Sequence, residues 1–438
     1  MLSRLLLREE CRRFWQLMRR HLTEIQTGIS RIFLRKCARG LELLIAVPVV
    51  LIVRLLRPWV IIRFAVIPSE GIGPFSGGME VYLCERDAKL HGRRTLEIFS
   101  YSIPVCNQQL KMMWQRVIPI TQFALAAERV NRWLPGGHAN YLPWRGQQAR
   151  DMYNLLADTT PHLAFTEAEE RLGWERFCAF GVSEHTPWVC FHARDPAFYV
   201  RRSQYRNRDH DHRNSDIEAQ LPAMEMLARR GYVAFRMGAR VEKVLRQGHP
   251  RIIDYATTAR TDFLDIFLCA HCRFYLGDPD GLASVAMTFR RPVAYVNFPA
   301  IEYVWTWSRD HLFILKKLWL KTERRLLTFP EAIRSGVGRF MRTHLFEECG
   351  IELVDNTAEE ITELALEMDE RLTGRWLATE EDEELQRRFW TMFTTTSTQH
   401  ASLLRGGPIR ARIGTAFLRH HRELLDERTT PAPLVVTV

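Results

Sequence analysis

Apolar and polar positions along most of the chain follow two alternating patterns. Short, almost wholly apolar runs predict buried strands, and the stretches after them have the spacing of amphipathic helices. The strand-like runs are RFAVIP (63–68), LEIFS (96–100), PWVCFHAR (187–194), YVAFRMG (232–238), IIDY (252–255), RFYLG (273–277) and PVAYVNF (292–298). Strands that alternate with helices predict a parallel, doubly wound α/β sheet.

The order of these elements in a chain of 438 residues predicts two Rossmann-like domains that face a cleft. We place the N-terminal Rossmann-like domain at residues 63–183 and the C-terminal one at residues 184–375. Residues 1–62 precede them as a basic, apolar segment, and residues 376–438 follow as a C-terminal helical tail. Ligands of open α/β sheets bind at the carboxyl ends of the strands, so we expect the functional site there.

The positive charge of the chain is concentrated at its N-terminus. The formal net charge is +10, and residues 1–63 carry thirteen Lys or Arg against four Asp or Glu. This excess lies beside the apolar run 43–62 and not on the predicted domains, so nucleic acid is not an expected partner. The pattern favours attachment of residues 1–62 to a membrane surface through a helical hairpin or re-entrant anchor. The alternative is a pair of helices packed in the core.

Cysteine usage indicates the compartment. Nine cysteines, scattered along the chain and odd in number, fit a reducing compartment better than a disulfide framework. The apolar run begins too late for a signal peptide. We therefore expect a peripheral or monotopic protein on the cytoplasmic face of the inner (plasma) membrane.

Several polar residues follow the predicted strands at the edge where a ligand would bind. Arginine side chains there can neutralise a diphosphate, and a helix that begins at Gly281 would point backbone N–H groups at an anion. These features predict a site for a nucleotide-sugar donor. The substrate-binding residues predicted in this way are Gly71, Gly73, Arg194, Arg213, Arg236, Gly238, Asp280 and Gly281. Each also has a structural alternative, because a strand-end arginine often forms an ion pair and Asp-Gly often forms a tight turn.

Two residues are candidates for the catalytic base that deprotonates an acceptor hydroxyl. Glu80 supplies a carboxylate and His138 an imidazole in the predicted first domain. Exposed glutamates and loop histidines are common, so both residues also have a structural alternative.

The polar run RNRDHDHRNSD (206–216) looks like a metal site. Asp209, His210 and Asp211, with Asp278, could bind a divalent cation in a metal-dependent phosphohydrolase. A chelator would abolish the activity of such an enzyme. A second alternative is a non-catalytic membrane scaffold with a degenerate fold, which no nucleotide would stabilise.

The chain also resembles a known family, the bacterial glycosyltransferases of GT-B type that are associated with surface-polysaccharide synthesis. The resemblance covers most of the chain from residue 63 to about residue 425. It is carried by MEVYLCE (79–85), VCNQQLKMMWQR (105–116), CFHARD (190–195), HRNSDI (212–217), GYVAFRMG (231–238), IIDYA (252–256), DFLDIFL (262–268), CRFYLGDPDGL (272–282), Lys316-Lys317 and IGTAFL (413–418).

This resemblance implies a glycosyltransferase that moves a sugar from a nucleotide-sugar donor to a lipid-linked or glycan acceptor. It implies transfer without a metal ion or another cofactor. Residues 63–183 would then form the acceptor domain and residues 184–375 the donor domain. Asn214 and Lys316 join the predicted substrate-binding residues on this basis.

Two details of the resemblance affect the site assignments. HRNSDI is the part of the polar run that carries the resemblance, so the Asp-x-Asp pattern before it is interpreted as incidental. The glycine loop departs from the family, since Pro74 follows Gly73 where the family often has a histidine. If that histidine were the base, this protein would need another.

Overall fold

The structure is a computed structural model that describes most of the chain. The described residues are 37–38, 40–90, 95–142, 151–197, 208–246, 248–306, 308–395 and 409–427. The basic residues ahead of residue 37, residues 206–207 of the polar run and parts of the predicted tail lie outside them.

The secondary structure alternates as the sequence predicts. In chain order the strands are β1 (Ile61–Ile67), β2 (Thr95–Tyr101), β3 (Trp188–His192), β4 (Val233–Arg236), β5 (Ile252–Ile253), β6 (Phe274–Gly277), β7 (Val293–Phe298), β8 (His311–Leu315), β9 (Lys317–Leu320), β10 (Arg325–Leu326), β11 (Ile351–Val354) and β12 (Arg412–Ile413). The helices are α1 (40–55), α2 (Met79–Asp87), α3 (Gln108–Val117), α4 (Phe123–Trp133), α5 (Glu167–Cys178), α6 (Leu221–Arg229), α7 (Tyr255–Thr258), α8 (Asp262–His271), α9 (Gly281–Thr288), α10 (Phe329–Arg334), α11 (Thr343–Glu348), α12 (Ala358–Leu372), α13 (Glu380–Thr395) and α14 (Thr415–His420).

The chain divides into two compact units that do not follow the predicted domain order. The first takes the described residues among 1–67, 92–102 and 118–144, and the second takes those among 68–91, 103–117 and 145–438. The segment that contains α2 and the segment that contains α3 are therefore in the same unit as β3 to β12. The predicted domain boundaries and the cleft between two domains stay predictions.

A parallel strand pair forms the centre of the first unit. β1 pairs in parallel with β2, and single parallel bridges add Tyr141 beside β1 and Ile120 beside β2. α1 packs against α4 through the buried side chains Ala46, Val50 and Val53. This contact matches the core-packed alternative for the apolar run. The run itself ends in a strand, because its last two residues already belong to β1.

The two arginines that interrupt the apolar run are bound within the first unit. Arg54 donates to the side chain of Asn131 at 2.9 Å and to the carbonyl of Pro135 at 2.7 Å. Arg57 donates to the side chain of Asn140 at 2.7 Å. Across the part of the chain that the structure describes, no helix has the length and apolar character needed to cross a membrane.

A parallel sheet of seven strands forms the centre of the second unit. Its order is β12-β8-β7-β6-β3-β4-β5, and every neighbouring pair is parallel. The predicted α/β fold with a parallel sheet is thus confirmed. β3, β4, β6 and β7 are almost wholly buried, as expected for strands covered on both faces. An antiparallel sheet of order β10-β9-β11, which the sequence did not predict, completes the described strands.

Local sequence signals explain several element ends. The Thr261 side chain accepts from the backbone of Leu264 at 3.1 Å and begins α8. Gly231 follows α6 with a φ of 98°, a conformation that glycine adopts without strain. Asp216 caps the short turn Ile217–Gln220, and the hydroxyl of the neighbouring Ser215 donates to Asp278.

Candidate functional site

A pocket of about 130 Å³ lies where β6, β3 and β4 end, which are neighbours in the sheet. The pocket wall includes Ile72, His192, Arg194, Arg240, Asp280 and Gly281. This is the edge at which open α/β sheets bind their ligands. Arg194, Asp280 and Gly281 were predicted from the sequence, while His192 and Arg240 were missed.

Asp278, directly after β6, organises the loops at this edge. Its carboxylate is fully buried and accepts hydrogen bonds from the backbone N–H of Arg194 at 2.7 Å, from Ser215 Oγ at 2.6 Å and from Asn297 Nδ2 at 3.1 Å. Burial raises its pKa, although these hydrogen bonds act in the opposite direction. Because three distant segments donate to one carboxylate, the position of the Arg194 backbone depends on it. From the sequence this residue is a candidate only for a metal ligand.

A second buried carboxylate fixes the floor of the pocket. Asp280 Oδ2 lies 2.5 Å from His192 Nδ1 and 2.9 Å from the Tyr275 hydroxyl, which donates to it. Burial lowers the pKa of His192, but the neighbouring carboxylate outweighs burial and raises it. Burial raises the pKa of Asp280, and His192 outweighs that effect and lowers it. Both shifts favour the charged forms of His192 and Asp280.

Asp280 also caps the N-terminus of α9. Asp280 Oδ1 accepts from the backbone N–H of Ala283 at 2.9 Å. The sequence predicts a bound anion at the start of this helix, whereas in the structure a carboxylate of the chain caps it. Neutralisation of a ligand at this edge therefore falls mainly to arginine side chains.

The predicted glycines allow two chain segments to touch at the pocket. A Cβ atom at Gly281 would lie 2.2 Å from Ile72 Cγ2 and 3.0 Å from the backbone nitrogen of Gly73. Gly71, by contrast, would bring its Cβ only into ordinary contact with Pro74. Gly238, after β4, has a φ of 149°, which a side chain would strain.

Three other predicted residues support the loops around the pocket. Lys316 is buried, donates to the carbonyl of Asn214 at 2.8 Å and pairs with Asp355 at 2.7 Å. Arg213 donates to the carbonyl of Pro279 at 2.5 Å. These contacts bring the residues of HRNSDI, the loop after β6 and the end of β8 together. The predicted role of the three residues in substrate binding stays a prediction.

Arg236 lies in a structural ion pair. Its side chain is 2% exposed, its Nη1 lies 2.9 Å from Asp254 Oδ1, and its Nη2 donates to the carbonyl of Lys243 at 3.0 Å. This arrangement matches the ion-pair alternative that the sequence left open. It does not reach the pocket wall that Arg194 and Arg240 form.

Glu80, one predicted base, is fully buried in a charged cluster. Its Oε1 lies 2.7 Å from Arg290 Nη2 and 3.2 Å from His162 Nδ1. Contacts with Cys84 and Glu80 raise the pKa of His162 to about 10. Glu80, Cys84 and His162 form the one group of three metal-ligand side chains within the described residues, but Arg290 already supplies a cation there. The role of Glu80 as a base stays a prediction.

The remaining predicted residues lie elsewhere. His138 is exposed on the short turn Gly137–Asn140 of the first unit, and its role as a base also stays a prediction. In the polar run, Asp209 pairs with His344 at 3.1 Å. Within the described residues, Asp209, His210 and Asp211 do not gather into a metal-ligand group.

Comparisons with known proteins give only remote similarity. No family model and no curated protein matches the chain. Among solved structures, it is similar to a glycosyl transferase family 9 protein from Veillonella parvula, with 10% identity, a TM-score of 0.41, and coverage of 71% of this chain and 97% of the other. It is also similar to E. coli ADP-heptose lps heptosyltransferase II, with 14% identity, a TM-score of 0.32, and coverage of 57% and 90%. Similarities of this size do not place the chain in a family.

Proposed function

We propose that this protein is a glycosyltransferase that moves a sugar from a nucleotide-sugar donor to a glycan or lipid-linked acceptor. One observation carries the proposal, namely the pocket at the carboxyl edge of the parallel sheet with Arg194 and Arg240 in its wall. The sequence resemblance to GT-B glycosyltransferases supports the same function. Residues 63–183 would bind the acceptor and residues 184–375 the donor.

The arginines would stabilise the leaving group. When the bond from the sugar to the diphosphate breaks, negative charge develops on the phosphate oxygens, and fixed guanidinium groups stabilise it. Arg194 suits this role because Asp278 fixes its backbone. Arg240, also in the pocket wall, is exposed and can approach a ligand. In this proposal arginine replaces a metal ion, and Glu80 or His138 accepts the proton of the acceptor.

The donor pocket is tested by nucleotide binding. The stability of the protein is measured with ADP, UDP and GDP and with their hexose and heptose conjugates. Each ligand is tested once with magnesium and once with a chelator. A true donor at 100 times its dissociation constant should stabilise the protein by about 2.7 kcal/mol, with or without chelator. Arg194→Ala and Arg240→Ala should each weaken binding about tenfold, because each removes a charged contact. Arg229→Ala, at an arginine whose side chain is 67% exposed, is the matched control.

The results separate the alternatives. Equal affinity in wild type and both pocket variants would remove the donor-site assignment. Loss of activity with chelator and in Asp209→Asn would identify the phosphohydrolase instead. Absence of stabilisation by every nucleotide would favour the non-catalytic scaffold.

We also propose that α1 attaches the protein to an anionic membrane surface. One face of α1 packs on α4, while the other exposes large apolar side chains at helical spacing. These side chains, with their exposed fractions, are Leu41 59%, Leu44 71%, Ile45 50%, Leu51 54%, Ile52 58% and Leu55 73%. Residues 1–36, just before this helix, carry nine Lys or Arg against three Asp or Glu, which suits anionic lipid better than a second copy of the chain.

Vesicle flotation tests this attachment. The wild-type protein should float with vesicles that contain phosphatidylglycerol and less with neutral vesicles. Leu44→Glu with Leu55→Glu should reduce binding at least about tenfold, because two exposed leucines no longer enter the lipid. Leu377→Glu is the control, since that leucine is 87% exposed elsewhere in the chain. Unchanged flotation, or a wild-type dimer that the double variant abolishes, would contradict membrane attachment.

A further inference from the structure

A larger pocket, of about 290 Å³, lies at the other edge of the seven-stranded sheet. Arg290 and Arg291 in its wall precede β7, His311 begins β8, and Arg410 precedes β12. These three strands are parallel neighbours, so their amino ends lie along one edge. The candidate donor pocket lies at the carboxyl edge. The larger pocket is therefore a separate site.

The wall of this pocket is positively charged. Its charged residues are Arg290, Arg291, Arg309, Arg410, Asp158 and Asp310. Four guanidinium groups against these two carboxylates and Glu80, which pairs with Arg290, leave an excess of one positive charge. Burial lowers the pKa of His311 to about 3, so this imidazole is neutral at pH 7 and adds no charge. The excess would favour an anionic ligand.

Two of the arginines keep donors for a ligand. Arg291 uses Nε to donate to the carbonyl of Ala270 at 2.6 Å, and its Nη groups have no hydrogen-bond partner among the described residues. Arg309 is exposed and makes no side-chain hydrogen bond or ion pair with the part of the chain that the structure describes. Arg290 differs, because Glu80 already holds it at 2.7 Å.

Arg410, the third arginine, binds the carboxylate of Asp158 through two paired hydrogen bonds. Arg410 Nη1 and Nη2 donate to the two oxygens of Asp158 at 3.3 and 3.1 Å. The Asp158 side chain is 69% exposed, while that of Arg410 is 17% exposed. An exposed carboxylate on a sheltered guanidinium is easily replaced by a ligand, and two phosphate oxygens fit the same paired donors.

We propose that this pocket binds the phosphate group of a small, soluble anion through Arg291, Arg309 and Arg410, with displacement of Asp158. The site is independent of the donor pocket, and the proposal does not rest on sugar transfer. Its ligand class is a phosphate ester or pyrophosphate, because paired guanidinium donors recognise phosphate oxygens in a fixed geometry.

Calorimetric titration with inorganic pyrophosphate tests the site. The full chain with Arg194→Ala serves as the background, so that binding in the donor pocket is weakened. In this background Arg309→Ala and Arg410→Ala should each raise the dissociation constant about tenfold, as loss of one charged contact predicts. Arg229→Ala removes the same charge from an exposed arginine elsewhere and should change nothing.

A second pair of variants tests the displacement of Asp158. Asp158→Asn should tighten pyrophosphate binding several-fold, because the ligand no longer competes with a carboxylate for Arg410. Glu225→Gln makes the same change of net charge at an exposed helix position and should leave binding unchanged. Because Arg309 is exposed, its variant should fold, and circular dichroism verifies the others.

Three results would overturn the proposal. Loss of all pyrophosphate binding in the Arg194→Ala background would assign it to the donor pocket. Equal weakening by Arg309→Ala and Arg229→Ala would show only a general charge effect. Equal tightening by Asp158→Asn and Glu225→Gln would contradict displacement at Arg410.

Discussion

Replacement of His162 by glutamine should reveal how strongly the cluster around Glu80 holds its charges. His162 Nδ1 lies 3.2 Å from Glu80 Oε1 and its Nε2 lies 3.0 Å from Asp87 Oδ2. Contacts with Cys84 and the carboxylate of Glu80 raise its pKa to about 10. A free imidazole has a pKa of about 6.5, so this shift corresponds to a contribution of at most about 5 kcal/mol to the free energy of unfolding. Because the ring is partly exposed, we expect a contribution of about 2–3 kcal/mol.

The sign of the pH dependence follows from the direction of this shift. A raised folded-state pKa means that the folded protein holds the proton more tightly than the unfolded chain. The stabilisation is therefore fully present below pH 6.5 and is lost as the pH rises towards about 10. The unfolding free energy of wild type should exceed that of His162→Gln most at pH 6, and the difference should shrink steadily up to pH 10.

Urea denaturation at pH 6, 7, 8, 9 and 10 measures this difference. His185→Gln is the matched control, because its ring is 88% exposed and it should show no such trend. A constant difference between wild type and His162→Gln across the range would refute the charged cluster. Glu80 would then be freer to act as the predicted base.

Two further substitutions test the construction of the donor pocket. Gly281→Ala should lower the unfolding free energy by about 1–3 kcal/mol and weaken nucleotide binding, because its Cβ would lie 2.2 Å from Ile72 Cγ2. Gly248→Ala has open space and should be neutral in denaturation and binding, so equal effects would contradict the close contact. Asp278→Ala should cost about 2–4 kcal/mol in urea denaturation, because three donors, two of them buried, lose their acceptor. Asp278→Asn keeps an acceptor oxygen and should cost less, and the reverse order would refute this role.

Several elements could be predicted because their signals are local. The apolar run of β3 and the cap of α8 each depend on residues within one short stretch. Hydrophobic spacing and capping chemistry act over a few residues, so they can be recognised without knowledge of the partner. The predicted strands do not include β8 to β12. Of these, β10 and β12 have two residues each and carry too little pattern to be recognised.

The placement of charged residues could not be predicted in the same way. Arg194 and Arg236 both lie near the ends of predicted strands, yet one lines the pocket and the other pairs with Asp254. Glu80 looked like an exposed helical carboxylate, but Arg290, far along the chain, meets it in the interior. Which partner an ionised group finds depends on burial and on the geometry of distant segments.

The sequence by itself determined the parallel α/β character of this protein, the positions of most strands, and the edge of the sheet where polar residues gather. Only the tertiary structure decided that Asp278 fixes the Arg194 backbone, that Asp280 closes the start of α9, and that arginines gather at the opposite edge. The spacing of apolar residues that marks a strand or a helix lies within one segment of the chain. A binding site instead requires residues from several segments to converge, and that convergence exists only after the sheet has assembled.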